Sequence, residues 1–185
     1  MAGERKQQIL QTLAKMLEAP KREKITTAAL AAKLEVSEAA LYRHFANKAQ
    51  MFEGLIAFIE ETIFGLINKI SSEETEGLRQ VHRTITMLLL FAEKNPGMTR
   101  VLIGDALVNE DEKLQQRINQ LYDRIEVTLK QSLRIAETQS GKPGNAEAQA
   151  NLIICYVIGR WQQYAKSGFK RKPTEFVVQQ LSSLL

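Results

Sequence analysis

Residues 25 to 48, ITTAALAAKLEVSEAALYRHFANK, carry two short apolar-faced segments around a tight turn, followed by a basic-aromatic cluster. Thr26 or Thr27 is placed to cap a first helix with Ala28, Leu30, Ala31 and Leu34 on its inner face. Ser37 is placed to cap a second helix that runs to about His44, with Ala40 and Leu41 inward. This spacing predicts a helix-turn-helix, a motif that lays its second helix in the major groove of duplex DNA. The alanines suit that use, because a reading helix must sit close to its supporting helix. At the turn stands Glu35, where glycine is frequent; a left-handed glutamate there costs about 1 kcal/mol relative to glycine.

Charge is placed accordingly. Of 185 residues, the first 48 hold nine Lys/Arg against five Asp/Glu, a net of +4. Residues 49 to 185 hold sixteen of each sign and sum to zero. The whole positive excess lies on the segment expected to meet phosphates.

Outward from the motif, the chain reads as helix with short breaks, an all-α fold. A first helix is expected from about Arg5 to Leu17, with Ile9, Leu10, Leu13, Ala14 and Leu17 on one stripe. Pro20 and the KREK stretch at 21 to 24 are expected to end it. Asn47 caps a long fourth helix to about Ile70, with a core stripe of Phe52, Leu55, Ile56, Ile59, Ile63, Leu66, Ile67 and Ile70. A fifth helix, about Gly77 to Glu93, has Leu78, Val81, Ile85, Leu88 and Ala92 on its core face; Asn95-Pro96-Gly97 stops it and opens a sixth, about Met98 to Val108. On this pattern the chain is expected to divide into a DNA-binding head, residues 1 to 48, and a helical dimerisation and partner-binding body, residues 49 to 185, joined by the fourth helix.

From Asp111 to about Ala136, Leu114, Ile118, Leu121, Ile125, Leu129 and Leu133 repeat at three- and four-residue steps, as in a coiled-coil-like seam. Helices at about 111–137 and 146–166 are thus expected to build a four-helix bundle across a two-fold axis, and a last helix at about 174–184 follows. A homodimer has an independent motive, since a palindromic site needs two recognition helices.

The single cysteine, Cys155, lies in the apolar run 152–158 and is expected to be buried; it excludes an intrachain disulfide framework. The N-terminus has no signal-peptide pattern and no apolar run is long enough to span a bilayer, so a cytoplasmic, nucleoid-associated protein without a membrane role is expected. Two isolated histidines, His44 and His82, with no phosphate loop, nucleophile motif or metal spacing, argue against an enzyme; no metal or cofactor is implied.

The segment SEAALYRHFANK running into a long fourth helix resembles the TetR family of bacterial regulators. MFEGLIAFIEETI, NPGMTRVLIGDAL and RINQLYDRIEVTL extend the likeness to one branch of it, the nucleoid occlusion factors, over most of the chain. The resemblance implies a dimer that binds palindromic operators and, on DNA, antagonises assembly of the tubulin-like division protein FtsZ. In the head, Thr26 and Thr27 suit a phosphate, and Ser37, Glu38, Ala39 and Ala40 approach base edges. Tyr42, Arg43, His44 and Lys48 clamp the backbone, with Arg43 able to read a guanine; His44 has a second reading as a packed head residue. The resemblance also implies a groove near helices four and five for the FtsZ C-terminal tail, with Phe58, Met87, Leu90, Lys94 and Asn95 as contacts. The alternative within the family is a ligand-released transcriptional repressor, with Met87, Phe91, Trp161 and Tyr164 lining a cavity.

Overall fold

The computed structural model describes residues 2–19 and 25–185. The expected stop at Pro20 and KREK lies outside the described residues. The helices are α1 (Ala2–Met16), α2 (Thr27–Lys33), α3 (Glu38–Tyr42), α4 (Lys48–Glu73), α5 (Gly77–Lys94), α6 (Pro96–Leu102), α7 (Glu112–Ser140), α8 (Ala146–Lys166) and α9 (Val177–Leu184), with a 3₁₀ turn at Asp105–Leu107. No strand occurs among the described residues.

Several boundaries depart from the sequence signals: α1 begins at Ala2 rather than about Arg5, α7 runs on to Ser140 rather than about Ala136, α9 begins at Val177 rather than about Thr174, and the ends of α3, α6 and α4 also shift. The recognition helix α3 ends at Tyr42 rather than His44, because the Leu41 carbonyl accepts from both His44 N (2.9 Å) and Phe45 N (3.1 Å) and tightens the turn. α6 stops at Leu102, where Gly104 at φ 77° turns the chain into the 3₁₀ segment. α4 continues to Glu73, so the break before α5 is only three residues long.

The chain divides into two compact units, residues 1–59 with 95–118 and residues 60–94 with 119–185. In the first, α1 buries Ile9, Leu13, Ala14 and Leu17, α2 and α3 bury Leu30, Ala31 and Leu41, and α4 contributes Met51, Phe52, Leu55, Ile56 and Ile59. α6 closes tightly on α1: a Cβ on Gly97 would lie 1.9 Å from the Ala14 carbonyl oxygen, so only glycine permits this approach. Ala28, expected inside, is exposed.

In the second unit α5 packs on α8. Trp161 is fully enclosed and donates its indole N–H to the Leu88 carbonyl (3.1 Å), and the Tyr164 hydroxyl donates to the Glu93 carbonyl (3.0 Å). Burial pushes the Tyr122 hydroxyl far above its ordinary pKa. The α4–α5 break is locked onto α7: Gln139 accepts from Gly77 N and donates to Thr75 O, and Ser132 donates to Gln80. A Cβ on Gly77 would meet the Ser132 carbonyl oxygen at 2.3 Å.

The apolar stripe of α7 is a correction to the sequence reading. Leu114 and Ile118 in the first unit, and Leu121, Ile125, Leu129 and Leu133 in the second, are all buried by the chain itself. A three- and four-residue repeat records that a face is covered, not which chain covers it. Leu66 and Leu78, expected in the core, are exposed, as is Cys155. α8 is apolar around much of its girth, and such a helix gives periodicity no phase to read.

Candidate nucleic-acid interface and partner surface

The helix-turn-helix is assembled by local hydrogen bonds. Thr26, in extended backbone conformation, caps α2 by accepting from Ala29 N (3.1 Å), and Ser37 caps α3 by accepting from Ala40 N (3.3 Å). Between them Glu35 adopts φ 55°, the left-handed conformation expected at this turn. Val36 N reaches the Ala31 carbonyl (3.0 Å) and Glu35 N reaches that of Ala32 (3.1 Å), the paired bonds of a Schellman motif.

Of the residues assigned to DNA, Thr26, Ser37, Glu38, Ala39, Tyr42 and Arg43 are exposed and Thr27, Ala40, His44 and Lys48 are half-buried. Three of them form a chain across the two helices. Tyr42 donates its hydroxyl to Thr27 Oγ1 (3.3 Å), and Thr27 donates to Glu38 Oε2 (2.6 Å). The carboxylate at the start of the recognition helix is thereby held in place, by side-chain directions that residue types alone do not reveal. Lys48 is the outlier: its ammonium pairs with Glu110, lies 5.7 Å from the centre of the Phe52 ring, and is only 22% exposed, with Glu110 at 14%. Asn47 caps α4 through Gln50 N (2.9 Å), and Gln50 accepts in return from Ala46 N.

The residues assigned to the FtsZ tail fall on both units. In the first, Phe58 is exposed, and half-buried Asn95 opens α6, its carbonyl accepting from Thr99 N (2.9 Å). In the second, Leu90 and Lys94, one turn apart on α5, are exposed while Met87 is half-buried. The residues assigned to a ligand cavity are occupied with the core: Phe91, Trp161 and Tyr164 are buried, and the polar atoms of the last two are bonded to α5 carbonyls.

A second apolar surface lies on α8, one of the two helices expected to build the dimer, and extends to α9, which was not. Leu152, Cys155 and Gly159, at three- and four-residue steps, form the outward face of α8, and Leu152 is 54% exposed. Val178 on α9 is 67% exposed and Phe176, just before it, 58%.

Among the described residues no group of acidic, histidine or cysteine side chains is arranged to hold a metal ion. No described helix is long and apolar enough to cross a membrane.

The profile described as "Bacterial regulatory proteins, tetR family" matches residues 22–55, and the SlmA-like profile described as "Tetracyclin repressor-like, C-terminal domain" matches residues 75–185. The chain belongs to the SlmA-like branch of the TetR family. It is 54% identical over 173 residues to the nucleoid occlusion factor SlmA of Alteromonas mediterranea, covering 92% of this chain and 89% of that one. It is 49% identical to the SlmA of a Marinomonas species, covering 98% and 93%.

Solved TetR regulators share the fold at low identity. One from Haloarcula marismortui superposes with a TM-score of 0.80 at 16% identity, covering 98% of this chain and 96% of that one. The Thermus thermophilus regulator PfmR gives 0.78 at 19%, covering 96% of each chain. Through this membership the all-α architecture and the helix-turn-helix expected from residues 25 to 48 are established.

Proposed function

We propose that this chain is a nucleoid occlusion factor, a dimer that binds chromosomal palindromes and, while on DNA, antagonises FtsZ ring assembly over the nucleoid. The observation that carries this reading is 54% identity, over nine-tenths of the chain, to a relative named for that role. In the head, Ala39 and Ala40 bring α3 close to base edges and Arg43 reads a guanine, while Thr26, Thr27, Tyr42 and His44 face phosphates. Ser37 orients the helix by capping it and Glu38 is oriented by the Tyr42–Thr27 chain. Lys48 reaches DNA only if its pair with Glu110 opens.

The dimer is formed through α8 and α9, whose Leu152, Cys155, Gly159, Phe176 and Val178 offer the apolar area that the filled α7 stripe does not. The FtsZ tail lies on α5 against Leu90 and Lys94, with Met87 at its edge. A ligand-released repressor is the second reading, and the committed aromatics of the core speak against it.

Light scattering of FtsZ, with and without a palindromic operator selected from random duplexes, tests the reading. Strong loss of polymer with operator present is the expected result, and Lys94→Asp should relieve it while leaving operator affinity intact. Undiminished polymer beside tight operator binding would leave only the repressor.

A further inference from the structure

The loop between α8 and α9 concentrates charge on a rigid frame. Lys166, Lys170, Arg171 and Lys172 place four cations within seven residues and no acid among them, equal to the net charge of the whole chain. Lys172 pairs with Glu93 (3.3 Å). Lys170 and Arg171 are exposed, and among the described residues neither has an ion-pair partner. Together with Lys172, Thr174 and Glu175 they line a shallow depression of about 340 Å³.

The frame under these cations is unusually complete for an exposed loop. Arg160, buried on α8, donates Nε to the Pro173 carbonyl (3.0 Å) and Nη2 to those of Lys172 and Glu175 (both 2.9 Å). Ser167 Oγ accepts from Lys170 N (3.2 Å) and Arg171 N (2.9 Å). Thr174 donates to Glu93 Oε2 (2.5 Å), which ties the loop to the end of α5. Phe169 and Phe176 bracket the segment in left-handed conformations, φ 63° and 62°. Such backbone persists only where surrounding bonds hold it, and it gathers at binding sites.

From this frame we propose that residues 170–175 form a docking site for an acidic polypeptide segment, distinct from the tail surface at Leu90 and resting on none of its evidence. A pre-ordered loop gives its cations to a ligand without first ordering them. Two features favour a peptide over a nucleic acid. The depression accommodates a few side chains rather than a row of phosphates, and Glu175 on its rim repels a uniformly charged backbone while tolerating a peptide of mixed side chains.

Fluorescence anisotropy on the full chain decides the matter, with a labelled peptide of alternating Glu and Gly, its Gln-Gly counterpart, and a duplex lacking any palindrome as probes. Wild type should bind the Glu peptide and not the Gln peptide, with affinity falling steeply as salt rises. K170E/R171E should weaken Glu-peptide binding at least about tenfold at low salt, with operator binding as the control for folding. Glu175→Gln should tighten it. Equal binding of the peptide by wild type and double variant overturns the site, as does no binding at all; a loss confined to the non-palindromic duplex assigns the loop to nucleic acid and overturns it equally.

Discussion

The helix-turn-helix and the α5–α8 layer are held together by different means. In the head, α2 and α3 are seven and five residues long and bury only Leu30, Ala31 and Leu41; two hydroxyl caps and a Schellman turn hold them. In the second unit, long helices enclose Trp161, Leu88, Val157 and Ile153 almost completely, and the aromatic polar atoms close on α5 carbonyls. Helices as short as those in the head are unstable alone, so their stability comes from ends and neighbours. The difference teaches where function is affordable: a surface that must meet DNA keeps its side chains out of the core, so it is built from capping and turn chemistry.

The largest effects should come from the two glycines at which backbones touch. Gly97→Ala, which forces α6 off α1, should cost about 3 kcal/mol and lower operator affinity with it, because α1 belongs to the unit that carries the head. Gly77→Ala should cost a similar amount, about 3 kcal/mol, with operator affinity retained wherever the protein remains folded. Thermal melts paired with operator titrations separate the two; a Gly77→Ala protein that melts normally would show that the α5–α7 layer yields more easily than its packing indicates.

A smaller effect of opposite sign tests the head. Glu35→Gly relieves a left-handed glutamate and should raise stability by about 1 kcal/mol, with DNA affinity unchanged. A lower Tm would mean that the glutamate side chain supports the turn.

The smallest effect belongs to Glu93. Its partial burial raises the carboxyl pKa, but the hydrogen bonds from Thr174 and Lys172 and the Lys172 charge outweigh that and hold it below the ordinary value. A carboxylate depressed on folding stabilises the protein fully above its unfolded pKa of about 4.3, and that contribution fades as pH falls through the folded value. Glu93→Gln should therefore be less stable than wild type near neutrality, by under about 1 kcal/mol for a part-buried carboxylate whose lysine partner is solvent-exposed, with the gap closing below about pH 4. A gap that persists in acid would trace it to the neutral hydrogen bond with Thr174.

The head was largely legible in sequence because its determinants are local. Thr26, Ser37 and Asn47 cap the helices they were expected to cap, and Glu35 adopts the conformation expected of its turn position. Most helices of the body were legible from apolar periodicity, and α8 was found to the residue. The identity of the covering surface was not. The α7 repeat reads the same whether other helices of the chain or a second subunit lie on it, and Cys155 sits in an apolar run with no polar neighbour to mark the outer face. The Lys48–Glu110 pair spans sixty-two residues, and the Tyr42–Thr27–Glu38 chain depends on side-chain directions across a turn. No pattern of residue types specifies such pairings before the fold is known.

The pairing of Lys48 bears on how DNA affinity responds to ionic strength. A lysine that neutralises a phosphate releases a condensed cation, and each such contact adds about 0.9 to the slope of log affinity against log salt. Lys48 has Glu110 as its counterion already. As long as that pair stays closed it contributes nothing to this slope, so each subunit should register one phosphate fewer than the count of basic side chains in its head would suggest.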